Sequence, residues 1–154
     1  MARCNEKPQI APVSPAWRAE MDVVARALEN QYGLPGGLLS RLMALESRYD
    51  PVAFNPCTGA LGIAQVKPIF VQDMAGRFRS PFDPLNPRAA LAATARYLAW
   101  VHRRTGSLSW SLPLMAYNWG EGNMSTWRGA RSRGINALIP RETIAYIAAI
   151  APEA

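Results

Sequence analysis

Apolar residues return every three to four positions from Trp17 onward: Trp17, Met21, Val24, Leu28 and Tyr32 make one face of a helix. Ser14 offers an N-cap hydroxyl, Pro15 suits the first helical position and Gly33 suits a stop. After the Pro35-Gly36-Gly37 turn, Leu38, Leu39, Leu42, Met43 and Leu45 predict a second, more buried helix ending near Glu46. The breakers Asp50-Pro51, Asn55-Pro56 and Gly59 predict an irregular stretch over 47–61, with short structure around Gly62 to Val66. A helix is expected from Pro68 to about Gly76. The strongest is expected from Pro87, capped by Asn86, to about Thr105, where Gly106 follows. Leu112 to Asn118 reads as a further helix, and Pro140 to about Ile150 as the last. The Gly/Ser/Arg-rich stretch from Trp119 to Ile139 reads as a loop. No alternating strand pattern and no internal repeat stands out, so the class is mainly α. Residues 1–13, with Pro8 and Pro12 and no periodicity, read as an extended tail or docking arm before a single domain over 14–154.

Composition narrows the class. The chain has 154 residues, 49% hydrophobic and 18% charged. That is one domain of ordinary size, with too much apolar content for a disordered chain. No apolar run reaches the roughly 18–20 residues that span a bilayer. The polar start lacks the apolar core of a secretory signal, so export by that route is not expected. The net charge is +6, from 17 basic and 11 acidic residues. It favours polyanionic partners, either nucleic acid or an anionic envelope polymer. The arginines are scattered, and the densest group, Arg128, Arg131 and Arg133, makes no nucleic-acid stripe. Cys4, Cys57 and His102 cannot supply the roughly four ligands of a zinc site. Two cysteines make no disulfide framework, and the sequence leaves open whether Cys4 and Cys57 pair.

Four patches carry candidate chemistry. Glu46 follows the apolar string Leu42 to Leu45, at a helix C-terminus where an anion is disfavoured. A surface glutamate is the plain reading. In a partly apolar pocket its pKa would instead rise toward that of a general acid. Gly59 to Gln65 places glycines, which permit close backbone approach, before an amide that both donates and accepts. Ala116-Tyr117-Asn118-Trp119-Gly120 sets aromatic rings beside an amide, which suits the apolar faces and hydroxyls of a sugar. Tyr146 lies on the last helix within Glu142-Thr143-Ile144-Ala145-Tyr146. Each patch alone also reads as turn, cap or core.

In this order, Glu46-Ser47, Gly62 to Gln65, Ala116-Tyr117-Asn118 and Glu142 to Tyr146 resemble the signature of the soluble lytic transglycosylase catalytic domain, a family related to goose-type lysozyme. Ser47-Arg48-Tyr49-Asp50-Pro51 is similar to that family's stretch after its glutamate, and the likeness covers about residues 34–150. Two positions depart from the pattern: Ala64 stands where a Met is common, and Pro56 or Cys57 where a Ser is frequent.

The resemblance implies a lysozyme-like helical domain with long loops around a substrate cleft. It implies cleavage of the MurNAc-β-1,4-GlcNAc bond of peptidoglycan without water. Glu46 would protonate the leaving oxygen, the substrate's acetamido group would attack the anomeric carbon, and Glu46 would then deprotonate the 6-hydroxyl that closes a 1,6-anhydro ring. Ser47, Gln65, Tyr117, Asn118 and Tyr146 would contact substrate or hold Glu46, with Ser47 equally suited to cap its helix. No cofactor or metal is implied. The expected partner is the peptidoglycan glycan strand, with no nucleic acid and no membrane span. Action in the periplasm or cell wall then requires a delivery route: carriage in a phage virion, with residues 1–13 docking other virion or secretion-machine proteins, release at lysis, or export by a secretion machine. The rivals are a hydrolytic goose-type muramidase, which would need a second carboxylate such as Asp50 or Asp73, a silent wall-binding module, and a nucleic-acid-binding helical protein.

Overall fold

The Ser14 hydroxyl accepts a hydrogen bond from the Trp17 amide at 3.1 Å, and Pro15 occupies the first turn, so the first helix starts where its local signals place it. This computed structural model describes residues 4–153. Among them the helices are α1 (Pro15–Tyr32), α2 (Leu38–Ser47), α3 (Pro68–Gly76), α4 (Pro87–Thr105), α5 (Ser111–Trp119), α6 (Glu121–Ser132) and α7 (Arg141–Ile150). The described residues contain no sheet, only isolated antiparallel bridges. The chain divides between Arg96 and Tyr97 into two compact units, and α4 runs from the first into the second.

In the first unit α1 packs on α2. Met21, Leu28, Leu38, Leu39, Leu42 and Met43 are buried from these two helices. No side chain local to α2 caps its N-terminus. Instead the buried Glu29 of α1 accepts from the amides of Gly37 at 2.9 Å and Leu39 at 2.8 Å. The long stretch between α2 and α3 is irregular, as its breakers predict. Single bridges Gln9–Phe54, Phe54–Leu61 and Leu61–Val66 order it.

The segment read as a tail or docking arm is extended, but over its described residues it is tied down. Gln9 and Phe54 exchange backbone bonds of 2.7 and 3.0 Å, and the Ala11 amide donates to Asp50 Oδ2 at 2.7 Å. Cys4 and Cys57 form a disulfide with their Cα atoms 5.5 Å apart. Cross-linking residues 53 apart in sequence removes unfolded-chain entropy worth about 4 kcal/mol.

In the second unit α5 packs on both α6 and α7. The α5 N-terminus is capped from the far end of the chain, where Glu153 Oε1 accepts from the Trp110 and Ser111 amides at 2.5 and 2.9 Å and from the Ser109 hydroxyl at 2.8 Å. Helix α6 corrects the expected loop over 119–139. Gly120 closes α5 and opens α6, and Met124 is buried on its inner face. The Trp127 indole N–H donates to the Ala137 carbonyl at 3.2 Å. Gly122 and Gly129 each cost a helix interior about 1 kcal/mol. Burying Met124 returns about 1.5–3 kcal/mol, an amount comparable to that cost, and the packing of α6 on α5 adds to it.

Candidate functional site

Glu46 is half-buried on the last turn of α2. Ser47, expected to touch substrate or cap the helix, is fully buried, and its hydroxyl donates to the Ile63 carbonyl at 2.6 Å. That bond ties the end of α2 to the Gly62–Gln65 loop. Arg48 and Tyr49 then turn the chain in the left-handed region, with φ of 52° and 66°. Each such non-glycine residue costs roughly 1–2 kcal/mol. Surrounding bonds hold the turn. The Trp17 indole donates to the Tyr49 carbonyl at 2.8 Å. The Tyr49 hydroxyl donates to Asp22 Oδ1 at 2.6 Å, where Ser40 Oγ also donates at 2.7 Å. Burial first, then the bond to Asp22, pushes the Tyr49 phenol above its ordinary pKa.

Asp50 is buried, and both its carboxylate oxygens are engaged by backbone, Oδ2 by the Ala11 amide and Oδ1 by the Val52 amide at 3.0 Å. Asp73 pairs with Arg77 at 2.5 Å on α3. Both carboxylates that a hydrolytic rival would enlist are thus held by other partners.

Gln65 also sits in the left-handed region, with φ of 49°, and is buried. Its Nε2 donates to the carbonyls of Ala53 and Gly62, both at 3.0 Å. Both amide hydrogens therefore serve the loop, and what the side chain retains for a ligand is the Oε1 acceptor. The Gly62 amide donates to the same Ala53 carbonyl at 2.8 Å. The loop is thus built around its own glutamine.

The second unit carries the remaining motif residues. Tyr117 and Asn118 are half-buried on the last turn of α5, and the Tyr117 ring lies 6.3 Å from that of Tyr97. Asn118 Oδ1 accepts from the buried Thr143 hydroxyl at 2.9 Å, which joins α5 to α7. Tyr146 is buried one turn further along α7. The structure therefore groups Glu46, Ser47 and Gln65 within one unit, and Tyr117, Asn118 and Tyr146 within the other. A cavity of about 400 Å³ in the second unit is lined by Trp100, Arg104, Glu121, Met124 and Arg128 among others, and by none of the six motif residues. Among the described residues no group of His, Cys, Asp or Glu is placed to hold a metal.

Several residues that shape this region escape sequence reasoning. Asp22, Glu29 and Glu153 look like ordinary polar positions, and their partners lie 27, 10 and 43 residues away. Thr143 lies inside a motif, yet nothing local shows that it holds Asn118.

Residues 24–139 match the model of the transglycosylase SLT domain. The chain belongs to that family. Its fold is that of the soluble lytic transglycosylases. It superposes on the 70-kDa soluble lytic transglycosylase of Escherichia coli with a TM-score of 0.62 and 23% identity, covering 84% of this chain and 20% of that one. Against the 70-kDa enzyme in complex with bulgecin A the TM-score is 0.69, with 22% identity over 84% of this chain and 22% of the other. Against an inactive mutant of lytic transglycosylase Slt from Pseudomonas aeruginosa it is 0.67, with 20% identity, 83% of this chain and 22% of that chain. The chain thus spans about a fifth of each of these proteins. No curated protein sequence matches it.

Proposed function

We propose that the chain is a peptidoglycan lytic transglycosylase that uses Glu46 as its single acid and base. The observation that carries this reading is the junction at the end of α2 in a chain of the SLT family. There Glu46 is half-buried, while Asp50, the nearest other carboxylate in sequence, is consumed by two backbone amides. Most glycosidases that hydrolyse use a second carboxylate to activate water or to attack the sugar. A lyase that recruits the substrate's acetamido group does not. In this reading Glu46 gives its proton to the glycosidic oxygen as the C–O bond breaks and the acetamido oxygen closes on the anomeric carbon. The glutamate then takes the proton of the muramic acid 6-hydroxyl, whose oxygen displaces the acetamido group and forms the 1,6-anhydro ring. The proton given in the first step is recovered in the second, and no water enters.

Gln65 Oε1 supplies an acceptor for the amide N–H of an N-acetyl group. Ser47 acts through the loop it holds and does not itself reach the sugar. Tyr117, Asn118 and Tyr146 are assigned to the glycan on the family pattern. Delivery by a phage particle belongs to the same reading. A docking role for residues 1–13 would have to use the outer face of a segment whose backbone is bonded at Gln9 and Ala11. Detection of the chain in purified virions by mass spectrometry tests it.

The activity is tested by digesting purified peptidoglycan with wild-type protein and Glu46→Gln and weighing the muropeptides. Products ending in 1,6-anhydromuramic acid are expected, with at least about a 100-fold loss in the variant. Reducing-end products, one water heavier, would overturn the lyase assignment.

A further inference from the structure

The N-terminal segment is joined to the Gln65 loop through three single bridges that share residues. Gln9 pairs with Phe54, Phe54 with Leu61 and Leu61 with Val66. Ala53, beside Phe54, gives its carbonyl to both Gln65 Nε2 and the Gly62 amide. Asp50, at the start of the loop, takes the Ala11 amide. Along residues 4–11 every side chain is exposed except the half-buried Ile10. A segment that buries so little apolar surface and is held by two backbone bonds and one amide-to-carboxylate bond opens locally at low free energy. The Cys4–Cys57 disulfide closes the far end of the segment onto the same loop and so keeps the first of these bridges made.

We propose that this disulfide is a positioning element for the Gly62–Gln65 loop, so that its oxidation state sets turnover at Glu46. The helices form in either state. The loop's own bonds shape it in either state, and joining Cys4 and Cys57 adds the constraint that keeps it in its working geometry. Joining them transfers two electrons and two protons from the thiols to the disulfide of a thiol oxidant, which leaves as the dithiol. Thiols stay reduced in the cytosol and are oxidised outside it. An enzyme made inside and acting on the wall would therefore gain its full activity where its substrate lies. The activity part of this inference rests on the proposed function, whereas its structural part does not.

The test compares the oxidised protein, the protein reduced with a phosphine, and a Cys4→Ser/Cys57→Ser variant. Circular dichroism, hydrogen exchange and anhydromuropeptide release are measured on each. Equal helicity is expected in all three. Amides of residues 53–66 should exchange at least about tenfold faster without the disulfide, and release should slow at least about fivefold. Oxidised glutathione should restore the wild type and leave the double variant unchanged. The inference fails if exchange over 53–66 is the same in both states, if exchange changes while release does not, or if the reduced chain loses its helices. An oxidised protein that releases no anhydromuropeptide would refute the proposed function, and the exchange comparison would then decide the structural claim alone.

Discussion

A β-carbon on Gly62 would lie 2.1 Å from the Pro84 carbonyl oxygen, and the residue's φ of +77° already disfavours any other side chain. The obstacle is backbone, which cannot swing aside as a side-chain tip could. Gly62→Ala is expected to cost about 2–4 kcal/mol, read from the denaturant midpoint. A shift below about 0.5 kcal/mol would mean the loop re-routes freely. Tyr49 gives a different signal. Its phenol pKa is raised by burial and by its bond to Asp22, so the folded state keeps the proton longer than the unfolded chain does. The linked stability is complete below the ordinary tyrosine range and is lost as pH rises through the folded-state pKa. Alkaline difference spectroscopy should show late-ionising tyrosine absorbance, and Tyr49→Phe should remove one tyrosine's share of it. A titration in which the variant keeps that share would assign it elsewhere. Gln65, Tyr117, Asn118 and Tyr146 were legible from short patterns of glycine, amide or aromatic positions, and Glu46 with Ser47 from the apolar string Leu42 to Leu45 before them. The division of labour among them was not. That Gln65 spends its amide hydrogens on Ala53 and Gly62, and Ser47 its hydroxyl on Ile63, depends on where the loop folds back.

The two helices that present motif residues at their C-terminal turns, α2 and α5, share a device. In neither does the N-cap residue's own side chain make the cap, and each takes a carboxylate from outside the helix, with Ser109 Oγ also accepting from the Ser111 amide at 3.0 Å. Glu29 serves α2 and Glu153 serves α5. A carboxylate at a helix N-terminus satisfies orphan amides and meets the positive end of the macrodipole. Glu29 is 2% exposed, so Glu29→Ala leaves one buried and one half-buried donor unpaired and should cost about 2–3 kcal/mol in urea unfolding. Glu29→Gln, which keeps an acceptor, should cost less, and equal costs would argue against capping. Desolvation raises the Glu153 pKa, but the bonds from Ser109, Trp110 and Ser111 outweigh it, so the net shift is downward. Its contribution is therefore present above the ordinary glutamate range and is lost as pH falls through the folded-state pKa. Exchange of the α5 amides should quicken in that acid window in the wild type, and Glu153→Gln should flatten the dependence. Most helices were legible because Ser14, Pro15, Asn86 and Pro87 act locally and mark ends without help from the rest of the fold. Helix α6 was not, because its two glycines argue locally against a helix that packing on α5, with Met124 buried, sustains.

For the molecule as a whole, the disulfide and the charge act through different physics. The cross-link's worth of about 4 kcal/mol is smaller than the 5–15 kcal/mol that typically stabilises a domain. A reduced chain that stays helical is therefore consistent with a disulfide whose larger effect is local. The charge of +6 stabilises nothing in particular and bears instead on encounter with the proposed substrate. Guanidinium groups such as those of Arg18, Arg103 and Arg131 stand at the surface and attract an anionic polymer over about one Debye length, near 10 Å at 0.1 M salt and near 3 Å at 1 M. Adsorption to peptidoglycan carrying anionic wall polymer should then fall severalfold across that salt range. Glu46→Gln is the protein for this measurement, since a wall that is not being digested keeps its binding sites. Stripping the anionic polymer from the sacculi separates the two sources of affinity. Contacts to the sugar survive stripping and vary little with salt, whereas recruitment by charge disappears with the polymer. Binding that is indifferent both to salt and to stripping would leave the arginines a role in solubility alone.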